Sequence, residues 1–162
     1  MVWETYKKLI MQNFNNLAEL KTAIGQQIGT TSWTTITQEM INDFAKATGD
    51  QQWIHVNQEM AEKYSPFKTT IAHGFLTLSL APKMMYELYA VKTAKMGLNY
   101  GANKVRFTDA VPSGSKVRMT ATIISVEDFP NNGVKIEMSC IFEREGSDKP
   151  VCIAELISVI FE

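Results

Sequence analysis

Three features of the sequence predict an α+β fold. One long segment, Gly74 to Lys92, is apolar on almost every side. Four segments beyond residue 96 read as strands, several with the every-second-residue alternation of half-buried strands. Turn sequences rich in glycine, proline and asparagine separate those four. A buried helix with an antiparallel sheet wrapped around it accounts for all three.

The 162 residues suit one domain with a sizeable core, read here as 15–162, with 1–14 an extension of partly helical character and no evident partner. Asn15 or Asn16 can cap a short helix carrying Leu17, Leu20 and Ile24, stopped by Gly25. Gln26–Ile36 is rich in β-branched residues and reads as an early strand. Thr37 is a natural N-cap for QEMINDFAKAT, in which Ile41, Phe44, Ala45 and Thr48 share one face and Gly49 supplies a left-handed end. Asn57 can cap QEMAEKY, with Met60, Ala61 and Tyr64 turned inward and Ser65-Pro66 closing it. In the long apolar helix only Thr77, Ser79, Lys83 and Glu87 interrupt the apolar surface, Glu87 is expected to be exposed, and Pro82 should introduce a kink. The strands are LNYGANKVRF, KVRMTATIISVEDF, VKIEMSCIFERE and VCIAELISVIF, with Asn132-Gly133 favouring a tight hairpin turn.

Composition narrows the partners. The chain is 45% hydrophobic and 20% charged, a globular balance, with a net charge of -1 and no lysine or arginine cluster, so no nucleic-acid face is expected. No apolar run is long enough to span a membrane, and Leu9-Ile10-Met11 is too short for a signal-peptide core. A cytoplasmic location is therefore expected. Cys140 and Cys152 lack metal-type spacing and read as buried free thiols.

The chemistry is concentrated between Thr48 and Leu80, which hold both histidines of the chain, His55 and His73. Asp50 precedes His55 on an irregular turn between two helices, where a carboxylate and an imidazole can reach one side of a pocket and exchange protons with water. The same spacing also fits an aspartate that caps the turn and a satisfied structural histidine. Gly74 opens the apolar helix. There it either lets a ligand approach free backbone N–H groups, as an oxyanion site requires, or only gives clearance where the helix enters the sheet. His73 is read as structural, bonded to loop backbone. Asp50, His55 and His73 have the composition of a two-histidine, one-carboxylate metal set, but no spacing that would hold them around an ion, so no metal is expected.

Several blocks together resemble a known family: F-A-x-x-T-G-D-x4-H-V, S-P-F, T-I-A-H-G-F-L-T-L-S-L and N-Y-G-x-N-K-V-R-F-x-x-x-V-P-x-G-S-x-V-R. In this order, across about residues 20–160, they are similar to the MaoC-like dehydratases, more narrowly to single-domain (R)-specific enoyl-CoA hydratases and the nodulation protein N group. The resemblance implies a hot-dog fold and reversible addition of water to a trans-2-enoyl-CoA, giving the (R)-3-hydroxyacyl-CoA. It implies Asp50 and His55 as the catalytic pair, Gly74 N–H as the oxyanion donor, a CoA thioester as substrate with no further cofactor, and a homodimer. Where the broader family has Asn-Pro, this chain has Gln52 and Trp53, and Pro82 replaces a serine found in some members. Gln52 can still offer an amide, and Trp53 and Phe75 are expected to shape the acyl pocket. An acyl-CoA thioesterase and a non-catalytic acyl-thioester binder are the alternatives. The first is disfavoured because Glu87 is the only acid on the central helix. The second is disfavoured by the intact Asp50/His55 pair.

Overall fold

The computed structural model describes residues 12–162. Residues 1–11, and the helical character read into them, lie outside that range. Asn16 caps helix α1 (Leu17–Lys21), its side chain accepting from Glu19 N at 3.1 Å. Thr37 caps α2 (Gln38–Thr48) through Met40 N, and Gly49 ends it at φ 80°, donating to Ala45 O at 2.9 Å. This left-handed end swings the chain out of the helix and into the turn that carries Asp50. The one-turn helix α3 (Trp53–Val56) and α4 (Gln58–Tyr64) follow. Ala61 is the buried residue of α4, while Met60 and Tyr64 point outward, 37% and 61% exposed. That corrects the inward placement of both: α4 touches the core along one narrow line, and a single alanine fills it.

Strands β2 (Gln27–Thr30) and β3 (Thr34–Thr35) both pair with β6 (Lys116–Phe129), where one strand over Gln26–Ile36 was expected. The interruption has a cause on the helix opposite. The Glu87 carboxylate, 7% exposed rather than solvated, accepts from Ser32 N at 3.0 Å and Ser32 Oγ at 2.7 Å. Those bonds turn the backbone at Ser32 away from β6, although Thr31 N still donates to Met119 O at 2.9 Å, and they give the buried Glu87 side chain hydrogen-bond partners it would otherwise lack.

The central helix is two pieces, α5 (Gly74–Ser79) and α6 (Ala81–Leu88). Pro82 has no N–H to continue the ladder, so it sits in the first turn of α6, where that donor is not needed. Leu76, Thr77, Ala81, Met84 and Leu88 are buried, whereas Phe75 and Tyr86 are 66% and 54% exposed. The helix is therefore covered on three sides, not all round. Beyond it, β4 (Tyr89–Val91) runs parallel to β1 (Gln12–Phe14), so these residues have a partner the sequence did not suggest.

The sheet closes around the helix in the order β2-β6-β7-β8-β5, with β5 at Met96–Phe107, β7 at Gly133–Arg144 and β8 at Pro150–Phe161. This is the hot-dog arrangement the resemblance implies. The β6–β7 hairpin turns at Asn131-Asn132, φ 60° and 56°, one residue earlier than Asn132-Gly133. Asparagine tolerates that left-handed geometry better than most residues, and Gly133 is left to pair with Phe129. Met119, Ile123, Ile136 and Phe142 point inward from the sheet and are fully buried. Each is worth about 1.5–3 kcal/mol of burial. Among the described residues, no helix is long and apolar enough to cross a membrane.

Cys140 and Cys152 are buried free thiols. Burial pushes Cys140 up to about 12, with Cys152 nearby adding to it, and burial pushes Cys152 up to about 11. The fold thus prefers the neutral thiols. Their contribution to stability is full below pH 9.0, the ordinary value, and is lost as pH rises through about 11 and 12. At neutral pH neither thiol is expected to react with an aromatic disulfide reagent until denaturant is added; prompt reaction of either in the native protein contradicts this packing.

Candidate active site

Four segments meet at one end of the central helix. The turn after α2 brings Asp50, α3 brings His55, the loop before α5 brings His73, and the first turn of α5 brings Gly74. That loop is pinned at several points: Ile71 N donates to Ile54 O at 3.0 Å, Ala72 N to Val111 O at 2.8 Å, and Ser113 N to Thr70 O at 2.9 Å. From the other side, Gln38 Nε2 donates to His55 O at 2.8 Å. Residues far apart in the chain are thereby held in register before the reactive side chains are considered.

His55 is 8% exposed, and its Nδ1 lies 2.7 Å from Ile71 O. A carbonyl oxygen can only accept, so Nδ1 carries a proton, and in the neutral ring the lone pair is on Nε2. One nitrogen is thus locked as a donor to the scaffold and the other is available as a base. Asp50 is held differently. Its side chain is 56% exposed, and Oδ1 meets Gln52 N only at 3.4 Å. The carboxylate faces solvent from a turn, while its imidazole partner is fixed from behind.

His73 lies between them. It is 4% exposed, and its Nε2 lies 3.0 Å from Asp50 O and 3.9 Å from Asp50 Oδ2. The first contact is a hydrogen bond; the second is too long to be one. Its ring is stacked on His55, centroids 3.7 Å apart and planes 25° apart, and its Nδ1 is buried without a hydrogen-bond partner. The bond to loop backbone agrees with the sequence reading; the stacking on His55 does not follow from it.

One ligand-type atom each from Asp50, His55 and His73 falls within 4.8 Å of the others, a proximity the spacing did not reveal. The ring geometry nevertheless opposes a shared ion. Imidazole binds a metal in the plane of its ring, and two rings stacked face to face do not direct their lone pairs at one point. The separation suits a different guest: a carboxylate and an imidazole this far apart can both hydrogen-bond one water molecule.

A cavity of about 180 Å³ opens beside His55, and His55, Gly74, Thr77, Phe107 and Asp109 are among its lining residues. Gly74 is the first residue of α5, so its N–H has no carbonyl within the helix to bond. A Cβ built on Gly74 would lie 2.7 Å from Phe107 Cγ, so no other residue fits there without movement. A second, larger groove of about 350 Å³ continues along the same helix, lined by Leu78, Pro82, Met85, Tyr89 and, across from them, Leu98 and Leu156.

Of Asp50, His55 and Gly74, the last two line the smaller cavity, while Asp50 lines neither cavity and is tied to them through His73, whose Nε2 donates to Asp50 O at 3.0 Å. Gln52 and Trp53 line neither cavity; Gln52 is exposed and Trp53 half-buried. Phe75 lines neither cavity as well; it is 66% exposed and packs edge-on against Phe107 at 5.2 Å. Phe107, Thr77 and Asp109 were missed by the sequence reading. Phe107 closes a strand whose alternation marks it as a strand residue and nothing more, and only the fold reveals that it covers Gly74.

Comparison with known proteins agrees with this picture. Residues 19–141 match the family model of the MaoC like domain. The chain is 51% identical over 147 residues to 3-hydroxyacyl-thioester dehydratase Z of Mycobacterium tuberculosis, covering 91% of this chain and 97% of that one. It is 38% identical over 146 residues to nodulation protein N of Rhizobium leguminosarum bv. viciae, covering 90% and 91%. Among solved structures, the unliganded R-hydratase PhaJ1 of Pseudomonas aeruginosa superimposes with a TM-score of 0.69 at 23% identity, over 92% of this chain and 87% of that one, a likeness that concerns the fold.

Proposed function

The chain belongs to the MaoC-like dehydratases, a hydro-lyase family, and from that premise we propose that it hydrates trans-2-enoyl-CoA reversibly to (R)-3-hydroxyacyl-CoA. The observation that carries the reading is the His55 ring, buried and donating Nδ1–H to Ile71 O, with one of its nitrogens within 4.8 Å of an Asp50 carboxylate oxygen. Water held between them gives its oxygen to the β-carbon and a proton to the pair. The pair returns a proton to the α-carbon as the double bond is consumed. The Gly74 N–H takes the thioester oxygen while it carries enolate charge, where a fixed donor does most for the barrier. The acyl tail follows the helix into the apolar groove past Leu78, Met85 and Tyr89. The scheme calls for no cofactor beyond the CoA thioester.

A thioesterase gains nothing from the structure. Glu87 is buried and committed to Ser32, so the central helix has no free acid to offer. The test is loss of the conjugated-thioester ultraviolet absorbance from trans-2-enoyl-CoAs of short and medium length, with free thiol followed in the same sample. Hydration without thiol release supports the proposal. Thiol release favours hydrolysis, and saturable binding with no turnover favours a binder.

The partner we propose is a second copy of this chain. Strand β5 forms one edge of the sheet and exposes Met96, Leu98 and Tyr100 toward its start and Phe107, packed against the outward-facing Phe75, at its end. An edge of this length and apolarity left in water is an aggregation hazard, and pairing with its own copy removes it. Sedimentation equilibrium is expected to give twice the chain mass, and Leu98→Lys with Tyr100→Lys is expected to return it to the monomer value. A native protein that sediments as a monomer removes this part of the proposal.

A further inference from the structure

The hydration scheme leaves His73 without a part, yet this side chain touches both members of the pair. Its face lies on the His55 ring at 3.7 Å, its Nε2–H edge is donated to the Asp50 carbonyl at 3.0 Å, and Phe44 backs it at 5.0 Å. We infer that His73 is a positioning residue, whose face sets the plane of His55 and whose edge sets the turn that carries Asp50. The inference rests on the hydration reading and concerns the same site.

The physical need for such a residue is visible in how loosely each partner is otherwise held. Among the described residues, the His55 side chain has one hydrogen bond, at Nδ1. A single bond lets a ring swing about it, and a flat surface against one face removes that freedom. Asp50 is anchored to its own loop only by contacts of 3.4 Å, from its N–H to Thr48 Oγ1 and from Gln52 N to its Oδ1. The bond from His73 is the short one. It acts on the main chain, so it fixes where the carboxylate starts without taking up either of its oxygens. An apolar aromatic at this position would keep the face and lose the donor; an amide would keep a donor and lose the face. Histidine supplies both, and its remaining nitrogen, Nδ1, is buried without a partner, so the ring is bonded to its surroundings at one edge only.

His73→Phe and His73→Gln separate the two contacts. The chain has two histidines, so in either variant His55 is the only one left, and its ring nitrogens can be read directly after 15N-histidine labelling. In the native protein at alkaline pH, one ring should show a protonated Nδ1 and a bare Nε2, the form the Ile71 bond selects. His73→Phe is expected to keep that signature and lose kcat through Asp50. His73→Gln is expected to keep the Asp50 bond but move the His55 nitrogens toward the tautomer average. In both, kcat should fall on the order of 10²-fold, the scale of a misplacement of about 1 Å, with KM little changed. Unchanged kcat in both variants, or loss of the fold in both, overturns the inference and makes His73 a core residue. Should the native protein hydrate no enoyl thioester, the nitrogen spectra decide alone: an unmoved His55 in His73→Gln overturns the positioning role, and a moved one upholds it while the hydration reading falls.

Discussion

Asp50→Asn and His55→Asn are each expected to lower kcat for enoyl-thioester hydration by about 10²–10⁴-fold, the usual range for a lost general acid or base. Both replacements are chosen to spare the scaffold. Asparagine at 50 keeps an oxygen for Gln52 N and leaves the carbonyl that His73 holds. Asparagine at 55 can place an amide N–H near the position of Nδ1, where Ile71 O accepts at 2.7 Å. What each loses is the ability to take and return a proton. Melting temperatures should therefore stay close to that of the native protein while turnover collapses, and KM should move little because neither group is needed to hold the acyl tail. The double variant should be hardly worse than either single one, since the two act on one water and removing either breaks the relay. Turnover near the native rate in either variant would falsify the assignment.

The second large effect is expected at Gly74. A methyl at this position would sit 2.7 Å from Phe107 Cγ and 2.9 Å from Cδ1 and Cδ2, closer than carbon atoms approach. Gly74→Ala should cost about 1–3 kcal/mol of stability, the scale of overpacking, and should also depress activity. Phe107→Ala in the same chain separates the two causes. Phe107 is 42% exposed, so its removal leaves an opening rather than a sealed void. The added methyl should then be tolerated, and the melting temperature of the pair should approach that of Phe107→Ala alone. Activity should stay low, because the methyl still stands beside the N–H that the thioester oxygen must reach. Recovery of activity together with stability would reduce Gly74 to a matter of clearance, which is the other reading its sequence allows.

The four long strands can be read from the sequence because their information is local. Alternation along Val117, Met119, Ala121 and Ile123 puts these on one face, and Pro130-Asn131-Asn132 marks the turn without reference to anything distant. Caps behave the same way, as Asn16, Thr37 and Asn57 show. What could not be read depends on a partner far away in the chain. Glu87 looks exposed until Ser32 is found beside it, and Met60 and Tyr64 look inward until the line of contact of α4 proves to be one alanine wide. The pairing of Gln12–Phe14 with Tyr89–Val91 joins segments that share no pattern. At the site, Asp50, His55 and Gly74 are legible as chemistry, but the stacking of His73 on His55 and the cover of Phe107 over Gly74 exist only once four segments converge.

The placement of β5 beside β8 bears on the order in which the chain can fold. Strands β6, β7 and β8 succeed one another as hairpins and can zip up from contacts close in sequence, whereas Phe107 waits for Cys152 and Met96 for Phe161. Pairing across such separations is slow because the intervening chain must be closed first. During synthesis, β5 leaves the ribosome well before the strand it pairs with, carrying its apolar edge unpaired. Phe107 and Val151 both line the cavity by His55, so the pocket cannot form until β8 has docked. A nascent chain that has made Asp50, His55 and Gly74 already holds the reactive groups but has no enclosed place in which to use them.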